Sequence, residues 1–292
     1  MHSDQIHIDH GLVSALLRQQ VPALADRPLR RLNTGGTENA LFRLGESHAV
    51  RLPIRPGAAD SMAREIRWLP HLVPHLPLAS PGLVHAGTAT DAYPYPWIVQ
   101  HWLPGDDAAT TPPDDLTAAA DTLAGLIRAL HAIPVPVPAP SGGRGGPLVT
   151  RDEPFAAALT QSTGLTDTER AAAHWQAARA VPAWQGAPVW IHGDLIPANL
   201  LVRDGRIAGL LDFGAMGVGD PAYDLIPAWF VLDAAARRRF RAITETDDAT
   251  WIRARGLVVS QSIIALPYYL NTNPTMVALA RRGLTEALPE PV

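Results

Sequence analysis

Residues 190–225 read WIHGDLIPANLLVRDGRIAGLLDFGAMGVGDPAYDL, an apolar run broken by polar side chains of the kinds that do chemistry. Asp194 and Asn199 are five residues apart, and Asp212 follows thirteen later. Residues 200–203 and 207–211 have the composition of two short strands. Asp204-Gly205 between them is a turn dipeptide that tolerates positive φ. Such a hairpin returns Asn199 and Asp212 to one end, with Asp194 on the loop just before it. One carboxylate and one carboxamide are hard oxygen ligands suited to a divalent cation such as Mg²⁺ that also holds phosphates. A further carboxylate, not tied to metal, can accept the proton of an attacking hydroxyl. The order H-x-D-x-x-x-x-N followed by D-F-G is a parts list for phosphoryl transfer. The competing reading makes Asp194 and Asp212 strand-end caps on a metal-free hairpin.

The rest of the chain must position these groups. At 292 residues, 47% hydrophobic and 18% charged, it has the material for one large domain or two modest ones with a sizeable core. A net charge of −4 and no basic patch argue against nucleic acid as the main partner, and the acidic balance mildly favours a cationic small substrate. Cysteine is absent, which excludes disulfides, thiolate catalysis and Cys-based zinc sites. No basic leader precedes a long apolar run, and no stretch approaches a membrane span, so the expectation is a soluble, cytoplasmic protein with no membrane or obligate protein partner. There is no lysine; all 24 basic residues are arginine, so any cation that clamps phosphate here is an arginine.

In chain order, Asp9 reads as the N-cap of an amphipathic helix over 10–20. Strands are expected at 29–32, 40–44 and 48–52, with the turn-like NTGGTEN between the first two. Strand, glycine-bearing loop, strand suggests backbone N–H groups of Gly35 and Gly36 folded over an anion; an ordinary hairpin turn is the plainer alternative. Arg51, on the third strand, reads either as an exposed strand arginine or as the clamp on the nucleotide α- and β-phosphates, held by Glu65. Glu65 falls on the second turn of a helix over 61–72 that Asp60 would cap. Strands follow at 82–86 and 97–102. The passage through Gln100 and Trp102 into Pro104-Gly105-Asp106 marks a boundary where connector backbone can meet a purine edge.

A long core helix is expected to start at Pro112-Pro113-Asp114-Asp115 and to run to 133, with His131 as a cap near its end. PVPVPAPSGGRGGP (134–147) reads as an exposed, flexible loop, too polar and glycine-rich to pack. Helices are expected at 154–161, 167–180, 221–236, 250–270 and 274–287, with the basic run Arg237-Arg238-Arg239-Phe240-Arg241 covering a solvated face. Asp114, Asp115, Asp152, Glu153, Asp233, Asp247 and Asp248 are candidates to give an acceptor pocket acidity.

With HGDLIPANLL, LLDFGAMGVGDPAYDL, NTGGTENALFRL and ALHAIP on view, the chain resembles the aminoglycoside phosphotransferase family of protein-kinase-like small-molecule kinases over nearly its whole length. The resemblance implies an α+β, protein-kinase-like two-lobe fold. Residues 1–103 would form a small antiparallel β-sheet N-lobe with one main helix that binds nucleotide, and 104–292 a larger, mostly helical C-lobe with the catalytic loop and acceptor pocket. It implies ATP and Mg²⁺ as cofactors and a small-molecule hydroxyl acceptor, an aminoglycoside-type antibiotic first. Macrolide, choline, homoserine or fructosamine acceptors, or a nucleotide-binding pseudokinase, are the alternatives. Asp194 resembles the catalytic base, Asn199 and Asp212 the metal ligands, His192 the histidine that supports the loop, and Asp220 a structural Asp. Two departures stand out: Gly193 occupies the arginine position of H-R-D, and Arg51 replaces the usual lysine.

Overall fold

The computed structural model describes residues 6–32 and 38–292. Gly35 and Gly36 lie outside the described residues. The chain divides into two compact units, Met1–Pro104 and Gly105–Val292.

The first unit is an antiparallel sheet with helices. Its strands are β1 (Leu29–Leu32), β2 (Asn39–Leu44), β3 (His48–Pro53), β4 (Leu83–Gly87) and β5 (Trp97–His101), in the order β1-β2-β3-β5-β4. In β2, alternation places Ala40, Phe42 and Leu44 in the core, whereas β3 is buried at almost every position. Helix α1 (His10–Gln20) starts where Asp9 accepts the Leu12 N–H at 2.8 Å, and buries Val13, Leu16 and Leu17 against Phe42, Val50 and Trp97. Helix α2 (Pro56–Leu72) starts earlier than the sequence suggests. Pro56, whose fixed φ suits a first helical turn, opens it without a side-chain cap; Asp60 lies inside and Glu65 falls on the third turn.

The second unit is mostly helical. Helix α3 (Leu116–His131) begins after Asp115, whose carboxylate accepts from Thr117 and Ala118, so it is shorter at both ends than the expected 112–133. Then come α4 (Asp152–Gln161) and α5 (Thr168–Ala180). The stretch expected to be one helix over 221–236 is three pieces. A 3₁₀ turn spans Pro221–Asp224, α6 is only Pro227–Phe230, and Asp233 caps a new helix, α7 (Ala234–Thr244). Pro227 has no N–H to continue the first piece. Helices α8 (Asp248–Tyr269) and α9 (Pro274–Ala287) finish the unit. The basic run is not wholly solvated: Arg237 is buried, donates to the Ala228 carbonyl and pairs with Glu286 and Glu290. Trp251 packs on Trp229 and Phe240 in the core.

The fold class is α+β, as expected. Among the described residues no helix is long and apolar enough to cross a membrane.

Candidate active site

The site grows from a small sheet in the second unit. Strands β6 (Asp106–Asp107), β8 (Leu200–Arg203) and β9 (Arg206–Leu210) pair in the order β6-β8-β9, while β7 (Val189–Ile191) pairs with β10 (Gly217–Gly219). Between β8 and β9, Asp204 and Gly205 turn at φ of +52° and +71°, the two positive values a tight hairpin turn requires. At the open end the Leu211 N–H donates to the Asn199 carbonyl at 2.8 Å, so Asn199 and Asp212 leave the hairpin side by side.

Asp194 is tied to that end. The Asn199 Nδ2 donates to the Asp194 carbonyl at 2.9 Å and to its Oδ2 at 3.1 Å. With its nitrogen so used, Asn199 has Oδ1 left for a cation. Asp212 is exposed and adopts φ +58°, a strained setting for a residue other than glycine, with Oδ1 accepting the Gly214 N–H at 3.2 Å. One amide oxygen and one carboxylate suit Mg²⁺, which keeps its other positions for phosphates and water.

Buried groups hold the loop in shape. His192 is buried, its Nε2 donating to the Leu211 carbonyl at 3.0 Å and its Nδ1 accepting the Asp194 N–H at 3.3 Å. Phe213 stands edge-on to the His192 ring with centroids 4.8 Å apart. Asp224, fully buried, accepts the backbone N–H groups of His192 (3.1 Å) and Gly193 (2.8 Å) and a hydrogen bond from His131 Nε2 at 3.1 Å. His131 is therefore a partner of Asp224 rather than a cap, which the Ala132 backbone supplies, and Asp220 pairs with Arg253 at 2.7 Å. At Gly193 φ is +77°, and a Cβ would sit 2.9 Å from the Ala215 carbonyl oxygen and 3.0 Å from the Arg144 Cβ. That crowding explains why arginine is excluded there.

Arg144 is the residue the sequence reading missed. Far from being an unpacked loop, the glycine-rich segment lies against β10: a Cβ on Gly217 would sit 2.2 Å from the Arg144 carbonyl oxygen, and one on Gly143 1.9 Å from that of Met216. The Arg144 N–H donates to the Ala215 carbonyl at 3.0 Å, Gly145 O accepts from Asp220 N at 3.2 Å, and Gly146 O accepts from the Tyr223 hydroxyl at 3.0 Å. So anchored, Arg144 Nη1 donates to the Gly193 carbonyl at 2.8 Å and to Asp194 Oδ1. The only signal in the sequence is a lone arginine between glycine pairs.

In the first unit, Arg51, Glu65 and Gln100 meet. Arg51 is buried, not an exposed strand arginine; its Nη1 lies 2.6 Å from Glu65 Oε1 and 3.5 Å from Gln100 Oε1. The Trp102 N–H donates to the Ser47 carbonyl at 2.8 Å, and the Arg43 guanidinium lies 3.9 Å from its ring centroid.

The carboxylates nominated to make an acidic pocket are mostly engaged elsewhere. Asp115, Asp233 and Asp247 cap helices, Asp152 accepts from Trp175 and Arg179, and Asp248 pairs with Arg241. Asp114 and Glu153 are exposed.

The chain is 26% identical over 214 residues to the aminoglycoside 3'-phosphotransferase of Escherichia coli, spanning 68% of this chain and 75% of that one. It is 31% identical over 156 residues to the uncharacterized protein YcbJ of Bacillus subtilis strain 168, spanning 50% of this chain and 45% of that protein. Its fold is similar to that of APH(2")-IIIa, solved with GDP and kanamycin, with a TM-score of 0.73 at 21% identity, covering 94% of this chain and 97% of that one. It is similar also to macrolide 2'-phosphotransferase MphH from Brachybacterium faecium, with a TM-score of 0.64 at 23% identity over 97% and 99% of the two chains. The family model of the phosphotransferase enzymes matches residues 29–257, from the first strand of the sheet into α8 and across every feature of the candidate site, and the chain belongs to that phosphotransferase enzyme family.

Proposed function

We propose that the protein transfers the γ-phosphoryl group of ATP, with Mg²⁺, to a hydroxyl of a small molecule. The observation that carries this is the convergence of Asp194, Asn199 and Asp212 at one end of the β8–β9 hairpin. Asp194 orients the acceptor hydroxyl and takes its proton. Asn199 Oδ1 and the Asp212 carboxylate would hold the metal, which when bound neutralises charge on the phosphates. Arg51, fixed by Glu65, clamps the α- and β-phosphates in the role that lysine fills elsewhere, and Gly35 and Gly36 offer backbone N–H groups to the nucleotide. Gln100 and Trp102 flank the passage into the connector that meets the purine. Residues 1–103 thus serve the nucleotide and 104–292 the chemistry and the acceptor, in a cytoplasmic enzyme that needs no nucleic acid, membrane or protein partner. Nucleotide use is supported by similar structures solved with GDP, ADP and ATP.

An aminoglycoside is the acceptor the E. coli relative suggests, and a macrolide the acceptor of another structural neighbour. Phosphate transfer from MgATP, screened against aminoglycosides, macrolides, amino alcohols and other small hydroxyl compounds, tests the reaction. Turnover should vanish with EDTA, return with Mg²⁺, and be abolished in Asp194→Ala. A variant as active as the wild type would sink the base assignment.

A further inference from the structure

Phosphoryl transfer crowds negative charge at the open end of the β8–β9 hairpin, where phosphates must approach the carboxylates of Asp194 and Asp212. The stretch that carries those carboxylates brings no arginine to them. Between Trp190 and Leu225 the only arginines are Arg203 and Arg206, and they pair across the Asp204-Gly205 turn, at the hairpin end opposite Asn199 and Asp212. The guanidinium that stands at the base comes from the glycine-rich segment. Arg144 Nη1 donates to Asp194 Oδ1 and, at 2.8 Å, to the Gly193 carbonyl. Both bonds fall on one nitrogen. Nε and Nη2 meet no hydrogen-bond partner among the described residues, and the side chain is 36% exposed. Nε and Nη2 form the edge of a guanidinium that matches two oxygens of an oxyanion. Arg144 therefore has one nitrogen fixed on the base and an open edge suited to phosphate. Its backbone is held as well: its N–H donates to the Ala215 carbonyl at 3.0 Å, and a Cβ on Gly219 would sit 2.1 Å from the Gly145 carbonyl oxygen. A guanidinium already held in place loses little freedom on gripping a ligand.

In-line transfer sets where the transferring group must lie. The acceptor hydroxyl stands about 2.6–3.2 Å from the base and about 3–3.5 Å from the phosphorus it attacks. Oxygens on that phosphorus come within reach of a guanidinium bonded to Asp194. We propose that Arg144 is a catalytic residue whose Nε–Nη2 edge binds two oxygens of the ATP γ-phosphoryl group while Nη1 stays on Asp194. This rests on the reading of Asp194 as the base of a phosphotransferase. Arg144 then holds base and phosphoryl in one geometry and offsets their mutual repulsion. The acceptor oxygen bonds to the γ-phosphorus, the bond from that phosphorus to the β–γ bridging oxygen breaks and leaves ADP, and the hydroxyl proton passes to Asp194. Charge on the transferring oxygens is met by the guanidinium throughout.

A residue that grips the γ-phosphoryl group distinguishes ATP from ADP. The test is calorimetry on the full chain with MgADP and with a non-hydrolysable, imido-bridged MgATP analogue, and it needs no acceptor. Arg144→Gln should weaken the analogue about ten-fold or more and leave MgADP unchanged, with Arg144→Lys between. Neutralising Asp194 without touching phosphate would give the same first result. The comparison is therefore repeated in Asp194→Asn, where the base carries no charge to offset. Adding Arg144→Gln should again cost the analogue about ten-fold. No loss, equal losses for MgADP and the analogue, or recovery of the analogue in the double variant overturns the proposal. Failure of the phosphotransferase reading looks different: the wild type binds neither nucleotide, or Asp194→Ala is fully active, and either result takes this proposal with it.

Discussion

The carboxylate of Asp224 holds the backbone N–H of Gly193 at 2.8 Å and that of His192 at 3.1 Å, and so fixes the loop that carries Asp194 from beneath. Both N–H groups are buried, and nothing else accepts from them among the described residues. Asp224→Ala leaves them unpaired, at about 1–3 kcal/mol for each group. The urea midpoint should fall, and kcat should fall more than the KM for ATP rises, because the loop and not the nucleotide is disturbed. A variant with the wild-type urea midpoint would refute this account of the loop.

The packing of the glycine-rich segment makes a paired prediction. A Cβ at Gly217 would meet the Arg144 carbonyl oxygen at 2.2 Å, a backbone atom that cannot swing away, whereas one at Gly146 meets nothing within 4 Å. Gly217→Ala should destabilise by about 1–3 kcal/mol and lower kcat by displacing Arg144. Gly146→Ala should be neutral in both. Equal behaviour of the two variants would mean the segment does not seat on β10.

Arg51 and Glu65 form a buried ion pair, with side-chain exposures of 9% and 1%. Removing one partner strands the other charge in a poorly solvated place, typically at about 3–5 kcal/mol. Glu65→Ala should therefore lower Tm and raise the KM for ATP together. A variant that loses stability but keeps its ATP KM would make the pair a structural feature only.

His174 gives a pH dependence. It is buried, Nε2 donates to the Leu288 carbonyl at 3.2 Å, and Nδ1 finds no partner among the described residues. Burial lowers its pKa; Arg255 and Arg170 add to the effect, while the Leu288 carbonyl and Glu290 oppose it. The unfolded chain, with a histidine pKa near ~6.5, then binds the proton more readily than the folded one. Stability should hold above about pH 6.5 and decline as pH falls below it. His174→Gln keeps a donor for Leu288 and removes the titration, so its urea midpoint should change less between pH 7.5 and 5.5. Identical pH dependence in variant and wild type would rule His174 out as a cause.

Much of this was legible from the residues. Asp9 announces α1, because a cap acts on the next turn of its own chain. Asp194, Asn199 and Asp212 converge through one hairpin, so a turn dipeptide and two short apolar runs suffice to bring them together. Arg51 and Glu65 lie on consecutive elements only fourteen residues apart. Periodicity and turn chemistry are local, and these relationships are local with them. The break of residues 221–236 into three pieces was less legible, since the apolar run continues across Pro227 and the interruption comes from a missing N–H and a competing cap at Asp233.

What the sequence determined by itself, then, is the family, the fold class and the hairpin that gathers three polar groups. Only the tertiary structure decided what surrounds them. Arg144 reaches Asp194 from fifty residues away, Asp224 holds the loop from about thirty residues on, and Arg237 turns inward to Glu286 and Glu290. A segment such as SGGRGG has no side-chain period to read. It packs by backbone approach, which glycine permits and composition cannot distinguish from flexibility. Contacts of that kind exist only once distant strands are in place.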